Sequence, residues 1–175
     1  MSADTMILIC YDGSPDSRAA IAHAGELMEG HPTTVLTVWE PFVDVLARTP
    51  SGFGLAPGMV NIDEIDDASY HSALERAREG AELATEVGLR AQPRTRALHT
   101  TISAAILAEA DEIDAGAIVM GSRGLTGLKS LLMGSVSHAV LQHADRTVIV
   151  VPSPTVAQAR HHDVRSDRFE HANQP

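Results

Sequence analysis

The sequence of 175 residues contains a single cysteine, Cys10, so no disulfide can form within the chain. Aromatic residues make up only 3%, which leaves little material for the stacking surfaces that bind single-stranded nucleic acids. Basic residues are scarce as well, with 13 Lys and Arg against 23 Asp and Glu and a formal net charge of −10. A chain this acidic repels phosphate backbones and anionic lipids. We therefore expect it to bind neither nucleic acid nor a membrane surface.

The sequence also lacks any segment suited to a membrane or to export. No run approaches the roughly 20 consecutive apolar residues that a membrane helix needs. The first six residues contain an acid and no basic residue, unlike the start of a secretory signal. Hydrophobic residues make up 44% of the chain and the mean hydropathy is −0.01, as in soluble globular proteins. With its lone cysteine, which suits a reducing compartment, the sequence predicts a cytoplasmic protein.

Short apolar runs alternate with segments of helical periodicity along most of the chain. Five strands are predicted, at residues 6–11, 33–39, about 94–98, 117–120 and 147–151. Helices are predicted to begin at Ser14, near Asp63, at Thr100 or Thr101, and near Gly134. Strands separated by helices imply crossover connections, and hence a parallel sheet with helices on both faces. The predicted fold class is therefore α/β, a three-layer sandwich.

Two segments depart from this alternation. Residues 40–65 are rich in Pro and Gly and are predicted to form a long loop, which in a compact domain is usually functional or mobile. Beyond Pro154 the sequence becomes polar and contains three histidines. We therefore predict a domain over residues 1–154 and a disordered tail over residues 155–175.

A glycine-rich segment follows the fourth predicted strand. Gly121, Gly124, Gly134 and Ser135 have the spacing G-x2-G-x9-G-[S/T]. Glycines permit positive φ angles and close approach to an anion, successive amides can hold phosphate oxygens, and a helix starting at Gly134 would add its own amides. The spacing matches neither a P-loop nor the dinucleotide-binding fingerprint. A turn without any ligand is the alternative interpretation.

These features together resemble the universal stress protein family, and specifically its ATP-binding branch. The resemblance covers about residues 4–153 and rests on the following segments: the first strand ending at Asp12, the second strand 34–39, the glycine segments 120–124 and 134–137, and the terminal strand 148–152. It implies a five-stranded sheet of order 3-2-1-4-5, as in adenine nucleotide α-hydrolase-like folds. It also implies a regulatory stress-response module that binds ATP or a related adenine nucleotide.

The resemblance assigns a role to eleven residues. Cys10 and Val38 would line the adenine slot, and Asp12 would contact the ribose. The ribose and phosphates would be flanked by Met120, Gly121, Arg123 and Gly124. The phosphates would be held by Gly134, Ser135, Val136 and Ser137. Any Mg²⁺ would arrive with the nucleotide phosphates. From the residues alone, Asp12 could instead cap the following helix, Cys10 could be a buried apolar residue, and Arg123 and Lys129 could be ordinary solvated charges.

The family also implies a homodimer formed through the last strand, Val148 to Val151. An apolar strand at a sheet edge is an aggregation hazard unless it is paired or covered, which agrees with this expectation. No pair of residues forms a convincing nucleophile and base, so we expect a binding protein with at most slow ATP hydrolysis. Two alternatives remain: a dimeric interaction protein that binds no nucleotide, and an enzyme that uses ATP to adenylate a substrate. The spacing of His138 and His143 does not favour a metal site. The acids of residues 63–67 could bind a divalent ion, but the start of a solvated helix is the preferred interpretation.

Overall fold

Strands and helices alternate in the computed structural model, which describes residues 5–48, 61–124, 133–152 and 157–158. The strands are β1 (Ile7–Cys10), β2 (Pro32–Trp39), β3 (Arg90–Ala97), β4 (Ala117–Gly121) and β5 (Thr147–Val151). The helices are α1 (Pro15–Met28), α2 (Phe42–Arg48), α3 (Ile62–Glu86), α4 (Ile102–Glu112) and α5 (Ser135–His143). None of the helices in these described residues is long and apolar enough to cross a membrane.

The five strands form one parallel sheet in the order β3-β2-β1-β4-β5. The order confirms the predicted α/β class and the arrangement 3-2-1-4-5. In the central strand Ile7 pairs with Thr33 of β2 on one side and with Ala117 of β4 on the other. The chain passes from β1 to β2 in one direction, whereas β4 lies on the opposite side of β1. The strand order therefore reverses between β1 and β4, where the carboxyl ends of parallel strands leave a crevice.

The core consists of two layers, one on each face of the sheet. Alternate residues of β1 point to opposite faces, so that Ile9 packs against α1 and α3. Its neighbour Leu8 packs against α4 and α5 on the other face. Both side chains are fully buried, as expected for a central parallel strand covered on both faces. This arrangement holds the carboxyl end of β1 between two rigid layers.

The residues predicted to start the first helix occupy the expected positions at the beginning of α1. Ser14 is the N-cap of α1, and its Oγ accepts a hydrogen bond from the amide of Ser17 at 3.2 Å. Pro15 occupies the first helical position, where its missing N–H costs nothing. Gly30 adopts a φ of +76° just beyond the helix, in the left-handed region that favours glycine.

The prediction of a continuous loop over residues 40–65 is wrong in part. Residues 42–48 form helix α2, and α3 begins at Ile62; residues 49–60 lie outside the described residues. The side chain of Asp66 in α3 accepts a hydrogen bond from the amide of Phe42, and Arg48 Nη2 donates to the carbonyl oxygen of His99 at 3.2 Å. These contacts with distant residues stabilise a helix whose seven residues carry little periodicity of their own.

Two other predictions differ in extent. Strand β3 is longer than predicted because the sheet edge tolerates Pro93, whose missing N–H does not disrupt the single ladder that the strand forms. The predicted tail, residues 155–175, lies outside the described residues except for positions 157 and 158.

Candidate functional site

A cleft of about 360 Å³ opens at the carboxyl ends of β1, β2 and β4, where the strand order reverses. All eleven residues singled out from the sequence line it. They are Cys10, Asp12, Val38, Met120, Gly121, Arg123, Gly124, Gly134, Ser135, Val136 and Ser137. Residues more than 120 positions apart in the chain are therefore brought together in one cavity of the size that small-molecule sites have.

One part of the cleft is apolar. Its walls come from the strand ends and from α4 and α5, on the same face of the sheet. The apolar residues of this part are Cys10, Leu36, Val38, Ile102, Ile106, Met120 and Val136. Ile102 remains 41% exposed even though it is large and apolar. An apolar slot with an incompletely covered isoleucine is suited to a flat ring system, which would bury that surface.

Asp12 lines the cleft, two residues after the end of β1. Its Oδ1 accepts a hydrogen bond from the amide of Ser14 at 3.0 Å. Gly13, between them, has a φ of +82°, a conformation that other residues rarely adopt. Both sequence interpretations of Asp12 therefore have support, because the carboxylate that braces the turn before α1 also lines the cleft.

Gly124 faces Asp12 from the segment that follows β4. A Cβ atom added at Gly124 would lie 2.7 Å from Asp12 Oδ2. Any side chain at position 124 would therefore press on the carboxylate and push the segment away from it. The glycine is needed for this close approach of backbone to carboxylate.

The other glycines of the motif serve close packing in the same way. A Cβ at Gly121 would lie 2.7 Å from the backbone carbon of Asp16, and one at Gly134 would lie 3.2 Å from the carbonyl oxygen of Ser122. Gly121, Gly124 and Gly134 all lack a positive φ; among the described glycines only Gly13, Gly30 and Gly88 have one. These three motif positions therefore favour glycine because neighbouring atoms approach them closely.

Buried hydrogen bonds anchor the segment after β4 to the first turn of α1. The Ser122 hydroxyl donates to Asp16 Oδ2 at 2.7 Å, and Arg123 Nε lies 3.9 Å from the same oxygen. Asp16 is 6% exposed, so this carboxylate is held in an environment where hydrogen bonds to charge are strong. Arg123 thus lines the cleft while its guanidinium is oriented by Asp16.

The start of α5 forms the polar end of the cleft. Gly134 is its N-cap, and no side chain of the described residues caps its first amides. The Ser137 hydroxyl lies 2.9 Å from the carbonyl oxygen of Gly134 and 3.0 Å from that of Ser122, so it is directed at the backbone. Ser135 is exposed and lines the cleft. Uncapped amides and the positive end of a helix are suited to bind an anion.

The electrostatics of the cleft combine one carboxylate with two cations. Asp12, Arg123 and Arg76 all line the cleft, and Arg76 is contributed by α3. Burial, with a smaller contribution from the Asp12 charge, raises the pKa of Cys10 from 9.0 to about 12. The thiol is therefore protonated and behaves as an apolar group. Among the described residues no group of three His, Cys, Asp or Glu is placed to hold a metal ion, and Lys129 lies outside those residues.

The sequence interpretation missed several lining residues. These are Tyr11, Ser17, Leu36, Thr37, Arg76, Ile102 and Ile106. Ile102 and Ile106 had a usable signal, because they are apolar, four residues apart, and follow the predicted cap of α4. Arg76 had none, since it lies in the middle of a long helix far from any motif in the sequence.

The whole described fold matches one family model. Residues 5–152 match the model described as "Universal stress protein family". The chain is similar to universal stress protein YxiE of Bacillus subtilis, with 32% identity over 147 residues that span 83% of this chain and 97% of the relative. It is also similar to a universal stress protein of Thermus aquaticus, with 32% identity over 151 residues, 83% of this chain and 96% of the relative.

Solved structures share the fold at lower identity. Hypothetical protein MJ0577 aligns with a TM-score of 0.64 and 21% identity, over 85% of this chain and 95% of the other. The universal stress protein from Archaeoglobus fulgidus in complex with dAMP aligns with a TM-score of 0.55 and 21% identity, over 86% and 99%. A universal stress protein in complex with cAMP aligns with a TM-score of 0.59 and 22% identity, over 87% and 99%.

Proposed function

This chain belongs to the universal stress protein family, and we propose that it binds ATP or a related adenine nucleotide as a regulatory module of the stress response. The observation that carries the proposal is the composition of the cleft. An apolar slot, a carboxylate and a helix start without a side-chain cap among the described residues line a single cavity. Their chemistry suits a base, a ribose and a phosphate chain, respectively.

Each part of a nucleotide has a fitting counterpart in the cleft. Val38, Ile102 and Met120 offer apolar contacts to an adenine ring. The Asp12 carboxylate can accept hydrogen bonds from ribose hydroxyls. The amides at the start of α5, the Ser135 hydroxyl and Arg123 can donate to phosphate oxygens. Two solved relatives in complex with dAMP and cAMP support the choice of an adenine nucleotide.

We propose binding as the purpose of the site, with hydrolysis at most a slow side reaction. The Cys10 thiol, with its pKa raised to about 12, is a poor nucleophile. An adenylating enzyme of the related class would hold ATP at the end of the first strand. Here Ser14 caps the amide of Ser17, and Pro15 supplies no donor, so the start of α1 offers little to a phosphate.

The regulatory role proposed here includes a homodimer and a cytoplasmic location. Strand β5 ends the sheet and pairs only with β4 among the described residues. Its residues from Val148 to Val150 are half-buried, which leaves apolar surface at the open edge for a second copy to cover. Nucleotide occupancy would then alter the shape of the dimer surface and change the affinity for a protein partner.

Ser135 provides the sharpest test of the site. Replacing Gly121 is unsuitable, because a Cβ there would collide with the backbone of α1. The substitution Ser135→Asp instead places a negative charge at the start of α5, where acids favour helices. We expect an unchanged melting temperature, an ATP affinity at least about tenfold lower, and an adenosine affinity within about twofold of wild type.

The matched control is Ser135→Asn, which is similar in size to Asp and uncharged. Binding is measured by equilibrium dialysis with labelled ATP and labelled adenosine after nucleotide has been removed from the purified protein. We expect the Asn variant to lose much less ATP affinity than the Asp variant. Equal ATP binding by wild type, Asn and Asp variants would place the phosphates elsewhere and refute this site.

A further inference from the structure

Among the described residues that line the cleft, Arg76 is the charged one that neither the motif nor the family resemblance identified. It lies in α3, on the opposite side of the sheet from α4, and its side chain is half-buried. Its Cδ and Nε lie 3.7 and 3.8 Å from the position that a Cβ on Gly13 would occupy. The aliphatic part of the side chain therefore covers the turn that presents Asp12 to the cleft.

The position of Arg76 is fixed by the packing of α3. Ala73 and Ala77, on either side of it, are buried against the sheet. One turn further on, a Cβ at Gly80 would lie 2.7 Å from the ring of Tyr11, so helix and strand are in direct contact. Small residues thus bring this part of the helix close to the end of β1, where Arg76 lines the cleft.

Glu79, which lies one turn beyond Arg76 in α3, has other partners. Glu79 Oε1 accepts a hydrogen bond from Arg18 at 2.6 Å and another from the Tyr11 hydroxyl at 3.0 Å. Arg76 contributes only a minor electrostatic part to the lowered pKa of Glu79, after the Arg18 hydrogen bond as the main cause. Within the part of the chain that the structure describes, the Arg76 guanidinium has no hydrogen bond or ion pair.

An arginine in this situation is chemically suited to an anion. Its planar guanidinium carries five donors and no acceptor, and it matches two phosphate oxygens at once. Arg123, by contrast, already has Asp16 as a partner. In a chain with net charge −10, this half-buried guanidinium lines the cleft without a direct acceptor among the described residues. A bound anion would supply the missing acceptor.

We propose that Arg76 is a specificity-determining residue that binds a phosphate group of the nucleotide and thereby favours nucleotides over nucleosides. The inference rests on the proposed function, since it assumes that adenosine phosphates occupy the cleft. It adds a second wall to the phosphate site. One wall is formed by the segment after β4 and the start of α5, and the other by α3.

The test compares adenosine, AMP and ATP by calorimetric titration of nucleotide-free protein. In Arg76→Gln we expect ATP or AMP to bind about tenfold or more weakly, the loss typical of one charge-assisted hydrogen bond, and adenosine within about twofold of wild type. Arg76→Lys keeps the positive charge but loses the planar guanidinium, so its ATP affinity should lie between those of wild type and Arg76→Gln. The matched control is Arg78→Gln, which removes the same charge from an exposed position of α3 outside the cleft lining; its affinities should match wild type.

The outcomes separate this inference from the proposed function. If wild type binds neither adenosine nor ATP, the proposed function fails and the role of Arg76 fails with it. If wild type binds ATP and Arg76→Gln binds it equally well, only the role of Arg76 is refuted. Equal loss of adenosine and ATP affinity in Arg76→Gln would also refute it, because a phosphate contact cannot weaken a ligand that has no phosphate. If Arg76→Gln does not fold, Arg76→Lys is compared with wild type instead. An equal ratio of ATP affinity to adenosine affinity in these two proteins would refute the proposal.

Discussion

The most accessible prediction concerns the reactivity of the only thiol. Cys10 lies at the end of β1 in the apolar part of the cleft, and burial raises its pKa from 9.0 to about 12. Thiol reagents attack through the thiolate, so the rate of alkylation follows the fraction of thiol that is ionised. We therefore expect Cys10 to react far more slowly in the folded protein than in the unfolded chain.

The magnitude follows from the difference between the two pKa values. A rise from 9.0 to about 12 lowers the thiolate fraction near neutral pH about a thousandfold. At about 1.4 kcal/mol per pKa unit this corresponds to about 4 kcal/mol. Because Cys10 lines a cleft that water can enter, this value is an upper bound, and we expect a reduction of at least about a hundredfold.

The assay is iodoacetamide labelling followed by mass spectrometry, in buffer and in concentrated urea at the same pH. Since Cys10 is the only cysteine, the mass of the whole chain reports its modification without ambiguity. ATP with Mg²⁺ should slow the labelling of the folded protein further, whereas it should not affect the unfolded chain. Labelling of the folded protein within about tenfold of the unfolded rate would refute the reasoning.

Three further predictions concern stability and assembly. Burial and a hydrogen bond to Glu79 raise the pKa of Tyr11 to about 12, so the folded state keeps a proton that the unfolded state loses from about pH 10. The contribution of Tyr11 to the free energy of unfolding should therefore be fully present below pH 10 and be lost between pH 10 and 12. A series of urea unfolding curves across this pH range should show a smaller loss for Tyr11→Phe than for wild type. Equal losses in the two proteins would contradict this. Glu109 is 1% exposed and pairs with Arg94 at 2.6 Å and Arg96 at 2.7 Å. Glu109→Gln should lower the free energy of unfolding by about 2–4 kcal/mol in urea titrations, and a loss under about 0.5 kcal/mol would show that the pairs are not stabilising. Val148→Lys, at the β5 edge, should convert a dimer into a monomer in light scattering, and a monomeric wild type would refute that interface.

Much of the fold could be predicted because each boundary depends on local chemistry. Ser14 and Pro15 start α1, Thr101 caps α4 through the amide of Ala104, and β5 occupies the predicted residues 147–151. Helix α2 could not be predicted, since its contacts with the side chain of Asp66 and the carbonyl oxygen of His99 come from distant parts of the sequence. Local signals specify elements with strong caps, and tertiary contacts specify the rest.

The candidate site shows the same division. A fixed spacing in the sequence identified Gly121, Gly124 and Gly134 as candidate site residues. It did not show why these positions are occupied by glycine. The reason is that backbone and carboxylate atoms from distant parts of the chain lie 2.7–3.2 Å from the position that a Cβ would occupy on these glycines. Only the folded chain reveals this proximity. Arg76 illustrates the limit most clearly. Its place in the cleft depends on the packing of α3 over β1, and no pattern around position 76 indicates it.

The central claim is that one adenine nucleotide occupies this cleft in each chain. The most direct measurement is a calorimetric titration of ATP with Mg²⁺ into wild-type protein that has been unfolded, freed of small molecules and refolded. We predict one site per chain, competition by AMP, and no competition by inorganic phosphate at equal concentration, because the apolar slot contributes to binding. A protein that is folded by circular dichroism yet shows no heat of binding with millimolar ATP, AMP or adenosine would contradict the account.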